Sequence, residues 1–106
     1  AASDVYKRQF LDLGDDIIIG NHVAVAFGCT FINSSHKVGN ASKRSGEGYS
    51  KAIIVGDGCW IGANVTIMPG VTIAQGCIIA ANSLVLHDTN ANGLYAGSPA
   101  RRIKDL

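Results

Sequence analysis

The stretch IGANVTIMPGVTIAQG, residues 61–76, sets a large aliphatic at every sixth position: Ile61, Ile67 and Ile73. A helix returns a side chain to one face after three or four residues, and a lone strand after two. A period of six suits neither. Extended both ways, the rhythm takes in Leu13, Ile19, Val25 and Phe31, then Val55, Ile61, Ile67, Ile73, Ile79 and Val85. Four residues after these stand Ile17, Val23, Cys29, Ser35, Cys59, Val65, Val71, Cys77 and Ser83, nearly all small or β-branched. Three residues after them come Asp16, His22, Gly28, Gly58, Asn64, Gly70, Gly76, Asn82 and Asp88. Those are the residue types that best tolerate a positive φ.

These three phases fit one physical object. The small residue and the next aliphatic lie two apart, so on a short strand both face the same side. The residue between one strand and the next turns a corner in a left-handed backbone conformation. Equal strands and repeated corners close a coil, and each strand pairs in parallel with the strand one coil away. With three sides per coil the repeat is eighteen residues, which sets Val55 under Ile73, Ile61 under Ile79 and Ile67 under Val85. Hexapeptide repeats of a parallel β-helix have this pattern. A sandwich of ordinary strands would show loops of varied length instead. Spacing alone does not fix the hand of the coil.

The helix is expected over residues 10–90. The polar segment AASDVYKRQ, residues 1–9, reads as non-native or disordered and stands outside the repeat. Residues 91–106 read as a tail that caps one open end of the stack, because solenoid ends need covering. Between His36 and Ala52 the ladder stops, and residues 37–51 form a polar excursion carrying four basic residues and one acid, Glu47. Long loops inside a regular solenoid are often functional.

Composition excludes several functions. A net charge of +1 with dispersed Lys and Arg leaves no electrostatic footprint for nucleic acid. No apolar run approaches the roughly 20 residues of a membrane span, and the N-terminus carries no apolar signal region. Cys29, Cys59 and Cys77 all fall at inward positions, an odd set that fits buried packing in a reducing cytoplasm. No Cys-x-x-Cys spacing exists for zinc.

The residues that can carry chemistry lie elsewhere. His22 falls on a corner and His87 beside one, the ordinary places for solvated turn residues, whereas His36 stands at the mouth of the loop. Trp60 occupies an outward phase between Cys59 and Ile61, where an indole covers a ligand or a partner. Gly56 and Gly62, also outward, are expected to leave the backbone accessible beside it. The tail GSPARRIK gathers Arg101, Arg102 and Lys104, a cluster suited to a phosphate.

In order and spacing, SSH with its polar loop, then IIVGDGCWIGANVTIMPGVTI, then GSPARRIK resembles the hexapeptide-repeat acyltransferases, in particular the maltose and galactoside O-acetyltransferase branch. The resemblance runs from about Leu13 to Lys104. It implies an all-β, left-handed parallel β-helix, an exception to the right-handed crossover rule. It further implies a homotrimer with sites between subunits, acetyl-CoA as co-substrate, a sugar or similar small hydroxyl acceptor, and no metal. His36 matches the general base, and Glu47 falls in the loop where an acidic side chain assists. Trp60, Ala63, Ala81 and Ser83 match the groove of the pantetheine arm. Arg101 and Lys104 match positions near the nucleotide end. The sequence departs from the family where Ala80 stands in place of a frequent glycine and where no proline follows His36.

Two other functions are weighed against this one. A zinc carbonic anhydrase on the same fold needs two histidines about five residues apart with a third upstream; His22, His36 and His87 do not have that spacing. A non-catalytic β-helix for assembly, or an inactive fragment of an acetyltransferase, explains neither the special loop, nor an outward Trp, nor a cationic tail. For the transferase, an inward Cys is poorly placed to hold an acyl group, so direct transfer in a ternary complex is expected.

Overall fold

Residues 10–11 and 14–106 are described by the computed structural model of this chain; the expectations for residues 1–9 and for Leu13 lie outside them. Strands of two or three residues recur through the described part, too short to persist singly. On one face β1 (Phe10–Leu11), β4 (Thr30–Phe31), β9 (Thr66–Ile67) and β12 (Leu84–Val85) lie side by side. On a second, β7 (Ile53–Val55) lies between β2 (Ile17–Ile19) and β10 (Thr72–Ile73). On the third, β3 (Ala24–Val25), β8 (Trp60–Ile61), β11 (Ile78–Ile79) and β13 (Gly93–Gly97) follow one another. Pairing on all three faces is parallel. The chain winds face by face into a three-sided parallel β-helix.

The eighteen-residue stacking appears as the period predicts. Val55 pairs with Ile73, Ile61 with Ile79 and Ile67 with Val85. These ladders and the second inward set, Cys29, Cys59, Val65, Val71 and Cys77, fill the interior almost without solvent contact. Burying one such aliphatic stabilises the fold by about 1.5–3 kcal/mol. The thiols are free and donate to carbonyls: Cys29 to Gly62 at 3.0 Å, Cys59 to Ala74 at 3.1 Å and Cys77 to Asn90 at 3.1 Å. Burial pushes the Cys29 and Cys59 thiols up from their ordinary value, so they stay protonated.

Corners follow the expected chemistry with two exceptions. His22, Asn64 and Asn82 have φ of 58°, 57° and 63°, and Gly28, Gly58, Gly70 and Gly76 are also positive. Gly28 is glycine for a second reason: the Asn64 amide oxygen of the next coil occupies the space its Cβ would take. Asp16 and Asp88, expected to turn the same way, do not. Asp88 instead closes its corner through its side chain, accepting from the Thr72 amide at 2.7 Å. Gly56 and Gly62 are half-exposed, as their outward phase predicts. A Cβ there would meet the backbone of the coil above, at 2.7 Å from the Gln75 nitrogen and 2.8 Å from the Ala81 nitrogen, so close packing of coils excludes a side chain.

The eighteen-residue spacing is broken at the first pairing and again at the excursion. Leu11 pairs with Phe31, across 31 − 11 = 20 residues. At the excursion, Asn33 takes the inward place after Phe31 and is fully buried, whereas Ser35, expected inward, has left the coil. The excursion is a hairpin of β5 (Ser34–Val38) and β6 (Ser45–Ser50), antiparallel, with Asn40 turning its tip by accepting from the Ser42 and Lys43 amides. The Lys51 amide donates to the Asn33 carbonyl at 2.8 Å and shuts the root, after which Ile53 and Val55 resume the ladder. Ile19 pairs with Val55 across 55 − 19 = 36 residues, so the excursion consumes one coil's worth of chain and the frame survives.

At the far end Tyr95 stacks on Ile79, and β13 turns into β14 (Ala100–Asp105), antiparallel to it. Arg102 belongs to this closure rather than to a free cationic cluster. Its guanidinium donates to the Asn90, Ala91 and Asn92 carbonyls and the Tyr95 hydroxyl, and pairs with Asp105 at 2.9 Å. Hydrogen bonds to Tyr95 and Asp105 raise its pKa further.

Candidate active site

The third face carries one half of the expected site. Its outward row, read through the registers, is Ala24, Trp60, Ile78, Leu94 and Lys104. The next outward row is Gly62, Ala80, Ala96 and Arg101, since the Gly62 amide meets the Ile79 carbonyl, the Ala80 amide meets the Tyr95 carbonyl, and Ala96 pairs with Arg101. Trp60 is 57% exposed, as its outward phase predicts. Three strand spacings of roughly 4.8 Å separate β8 from β14, about 14 Å in all. The wall therefore has an indole at one end, small residues along the middle and two cations at the other. Neither Arg101 nor Lys104 has an acidic partner among the described residues.

Ala63 and Ala81 stack at the corner that follows this wall, where the Asn82 amide donates to the Ala63 carbonyl at 2.9 Å. Ser83 differs from its expected place in a surface groove. It is buried, its hydroxyl donating to the Ala80 carbonyl at 2.7 Å and accepting from the Gly97 amide at 3.2 Å. Its position is an inward one, so the hydroxyl ties the wall's backbone together from behind.

The other half is the hairpin. His36 lies on β5 opposite Gly48, exposed, and lines an open hollow with Lys37, Val38, Tyr49 and Lys51. Its Nδ1 is 3.0 Å from the Gly46 carbonyl oxygen. A carbonyl only accepts, so in the neutral ring the proton sits on Nδ1 and the Nε2 lone pair is free to take one. Glu47 pairs with Lys37 at 3.0 Å, and both are exposed. His22 and His87 are exposed at corners away from this hollow. Among the described residues no three His, Cys, Asp or Glu side chains converge to hold a metal.

His36 and the wall do not meet among the described residues of one chain. The hairpin leaves the prism between β4 of the first face and β7 of the second, which is the edge opposite the third face with Trp60. None of Trp60, Ala63, Ala81, Arg101 or Lys104 lines the hollow around His36. Sequence reading passed over Lys51, Tyr49 and the Gly46 carbonyl. The glycines of SGEG and the VGN segment carried a hairpin signal, but not which side chains it brings together.

Residues 52–87 match the bacterial transferase hexapeptide (six repeats) family. The chain is 38% identical over 103 residues to a galactoside O-acetyltransferase of Escherichia coli (strain K12), covering 95% of this chain and 51% of that protein. It is 37% identical over 119 residues to a probable macrolide acetyltransferase of Lysinibacillus sphaericus, covering 95% of this chain and 66% of that one. It superposes on a galactoside acetyltransferase in complex with coenzyme A with a TM-score of 0.85 at 35% identity, over 92% of this chain and 48% of that one. The chain thus spans about half to two thirds of the length of these relatives. The coil is the left-handed β-helix.

Proposed function

The chain belongs to the hexapeptide-repeat acyltransferase family, and from that premise we propose that it is the β-helical part of an acetyl-CoA-dependent O-acetyltransferase acting on a small hydroxyl acceptor. The observation that carries this reading is the His36 ring, whose Nδ1 is engaged by the Gly46 carbonyl so that Nε2 is left to act as a base. A thioester is already activated, while an alcohol is a poor nucleophile at neutral pH; the missing element is a base for the hydroxyl proton.

The step balances simply. The acceptor oxygen attacks the thioester carbonyl as its proton passes to His36 Nε2. The tetrahedral intermediate then expels the sulfur of coenzyme A, which recovers that proton from the imidazolium, and the ester is released. No acyl-enzyme is needed. The cysteines support this, since they are buried with their thiols turned to backbone carbonyls. The similar proteins are named for galactoside and macrolide acceptors, so a hydroxyl is the shared chemistry.

On this reading acetyl-CoA runs along the third face, its pantetheine arm over Gly62, Ala80 and Ala96 beside Trp60, and its nucleotide end toward Arg101 and Lys104. A charge-assisted hydrogen bond to phosphate contributes about 1.5–3 kcal/mol, roughly tenfold or more in affinity. Arg101→Ala with Lys104→Ala is therefore expected to weaken CoA by about that factor and 3′-dephospho-CoA by less, as calorimetry would read. Equal weakening of both would mean the tail does not read the 3′-phosphate.

A complete site then takes the hairpin of one subunit and the wall of another, because one chain holds them on opposite sides. We assign the assembly as a homotrimer, a closed ring in which each prism meets two neighbours and can offer its hairpin to one and its wall to the other. Outward apolar residues such as Ile18, Phe27 and Trp60, each at least half exposed, supply contact surface. Light scattering should give three times the chain mass at micromolar concentration. A folded monomer there would remove the shared site.

A further inference from the structure

The hollow beside His36 holds two lysines that differ in one respect. The Lys37 charge is cancelled by Glu47 at 3.0 Å. No acid pairs with Lys51 among the described residues. Asp15, which meets the root at Ser50, is engaged elsewhere: one oxygen accepts from the Asp16 amide at 2.7 Å and the other lies 3.4 Å from the Ser50 hydroxyl.

Lys51 is also held in place. Its amide is bonded to Asn33 at the root, its stem packs on the Gly70 corner, and its ammonium lies 5.9 Å from the centre of the Tyr49 ring. A cation so tethered keeps less rotational freedom than a free surface lysine, and therefore loses less on binding an anion. Val38, 85% exposed, and Tyr49 give the same hollow apolar surface for a carbon skeleton.

We propose that the acceptor taken up beside His36 carries an anionic group, a phosphate or a carboxylate, and that Lys51 with Tyr49 beneath it reads that charge. The inference rests on the transferase reading above, because it supposes that His36 marks the acceptor's hydroxyl.

The test uses acetyl-CoA with three acceptors that keep the same ring hydroxyls: methyl α-D-galactoside, its carboxymethyl analogue and α-D-galactose 1-phosphate. For the full-length protein, kcat/KM for one or both charged acceptors should exceed the neutral one by about fivefold or more, a size set by one partly exposed charge contact. The preference should shrink as salt rises. Lys51→Met, which keeps the stem over Gly70, should bring the charged-to-neutral ratio close to one, and Lys51→Arg should restore it. Preference for the phosphate alone identifies the ligand class as phosphate, and for both as any anion. A wild-type ratio near one, or a ratio unchanged in Lys51→Met, overturns the inference and leaves the transferase reading standing. Failure to acetylate any of the three by protein that binds CoA in calorimetry overturns both.

Discussion

Replacing His36 with alanine is expected to lower turnover by about 10²–10⁴, the usual worth of a positioned general base, while acetyl-CoA affinity stays near its original value. The two effects separate because the hairpin that carries His36 leaves the prism on the edge opposite Trp60, Arg101 and Lys104. The ring is also exposed on the hairpin, held by the Gly46 carbonyl at 3.0 Å, so its loss should leave the fold intact. His22→Ala and His87→Ala serve as comparisons, since both rings are exposed and line no hollow with His36. Single-turnover kinetics on the full-length protein would read the chemical step directly. Near-normal turnover by His36→Ala would end the proposed mechanism.

The second large effect concerns the core. Ile61→Ala is expected to cost about 2–5 kcal/mol, out of the ~5–15 kcal/mol that holds a domain of this size. Ile61 is fully buried and stands between Val25 below and Ile79 above. The rungs around it are pinned by backbone bonds, with Gly62 donating to Ile79 at 2.8 Å and Ala26 to Ile61 at 2.9 Å. Coils fixed at strand spacing cannot settle into the hole, so the cavity term adds to the lost burial. Ile54→Ala, an outward residue one coil side away and 39% exposed, should cost much less in the isolated chain. Urea melts at one protein concentration compare them. Equal losses would show that the six-residue ladder is not what holds this molecule together.

The sequence alone determined whatever depends on local repetition. A period of six with αL-tolerant corners at one phase can close only a coil of short parallel strands, so the ladders Val55–Ile73, Ile61–Ile79 and Ile67–Val85 were readable before any coordinates. The same holds for the inward cysteines and the exposed Trp60, because inward and outward alternate rung by rung. His36 was legible as the residue directly before the expected excursion, and the hairpin in fact begins two residues earlier, at Ser34.

Tertiary structure decided whatever depends on a neighbour from another coil. Asn33, not Ser35, takes the last inward place because the chain departs there and Lys51 closes the root behind it. Asp88 needs no positive φ because a Thr72 amide from the preceding coil comes within reach of its side chain. Gly62 is constrained by the backbone of Ala81, nineteen residues on and one coil away. Ser83 turned inward to hold Gly97, and Arg102 turned away from its cationic neighbours to gather the carbonyls of the last corner. Those outcomes turn on contacts between segments whose approach is fixed only once the coils have stacked. So does the separation of His36 from Trp60. Periodicity fixes which residues face outward, but the edge at which the excursion leaves the prism fixes which outward residues one chain can bring together.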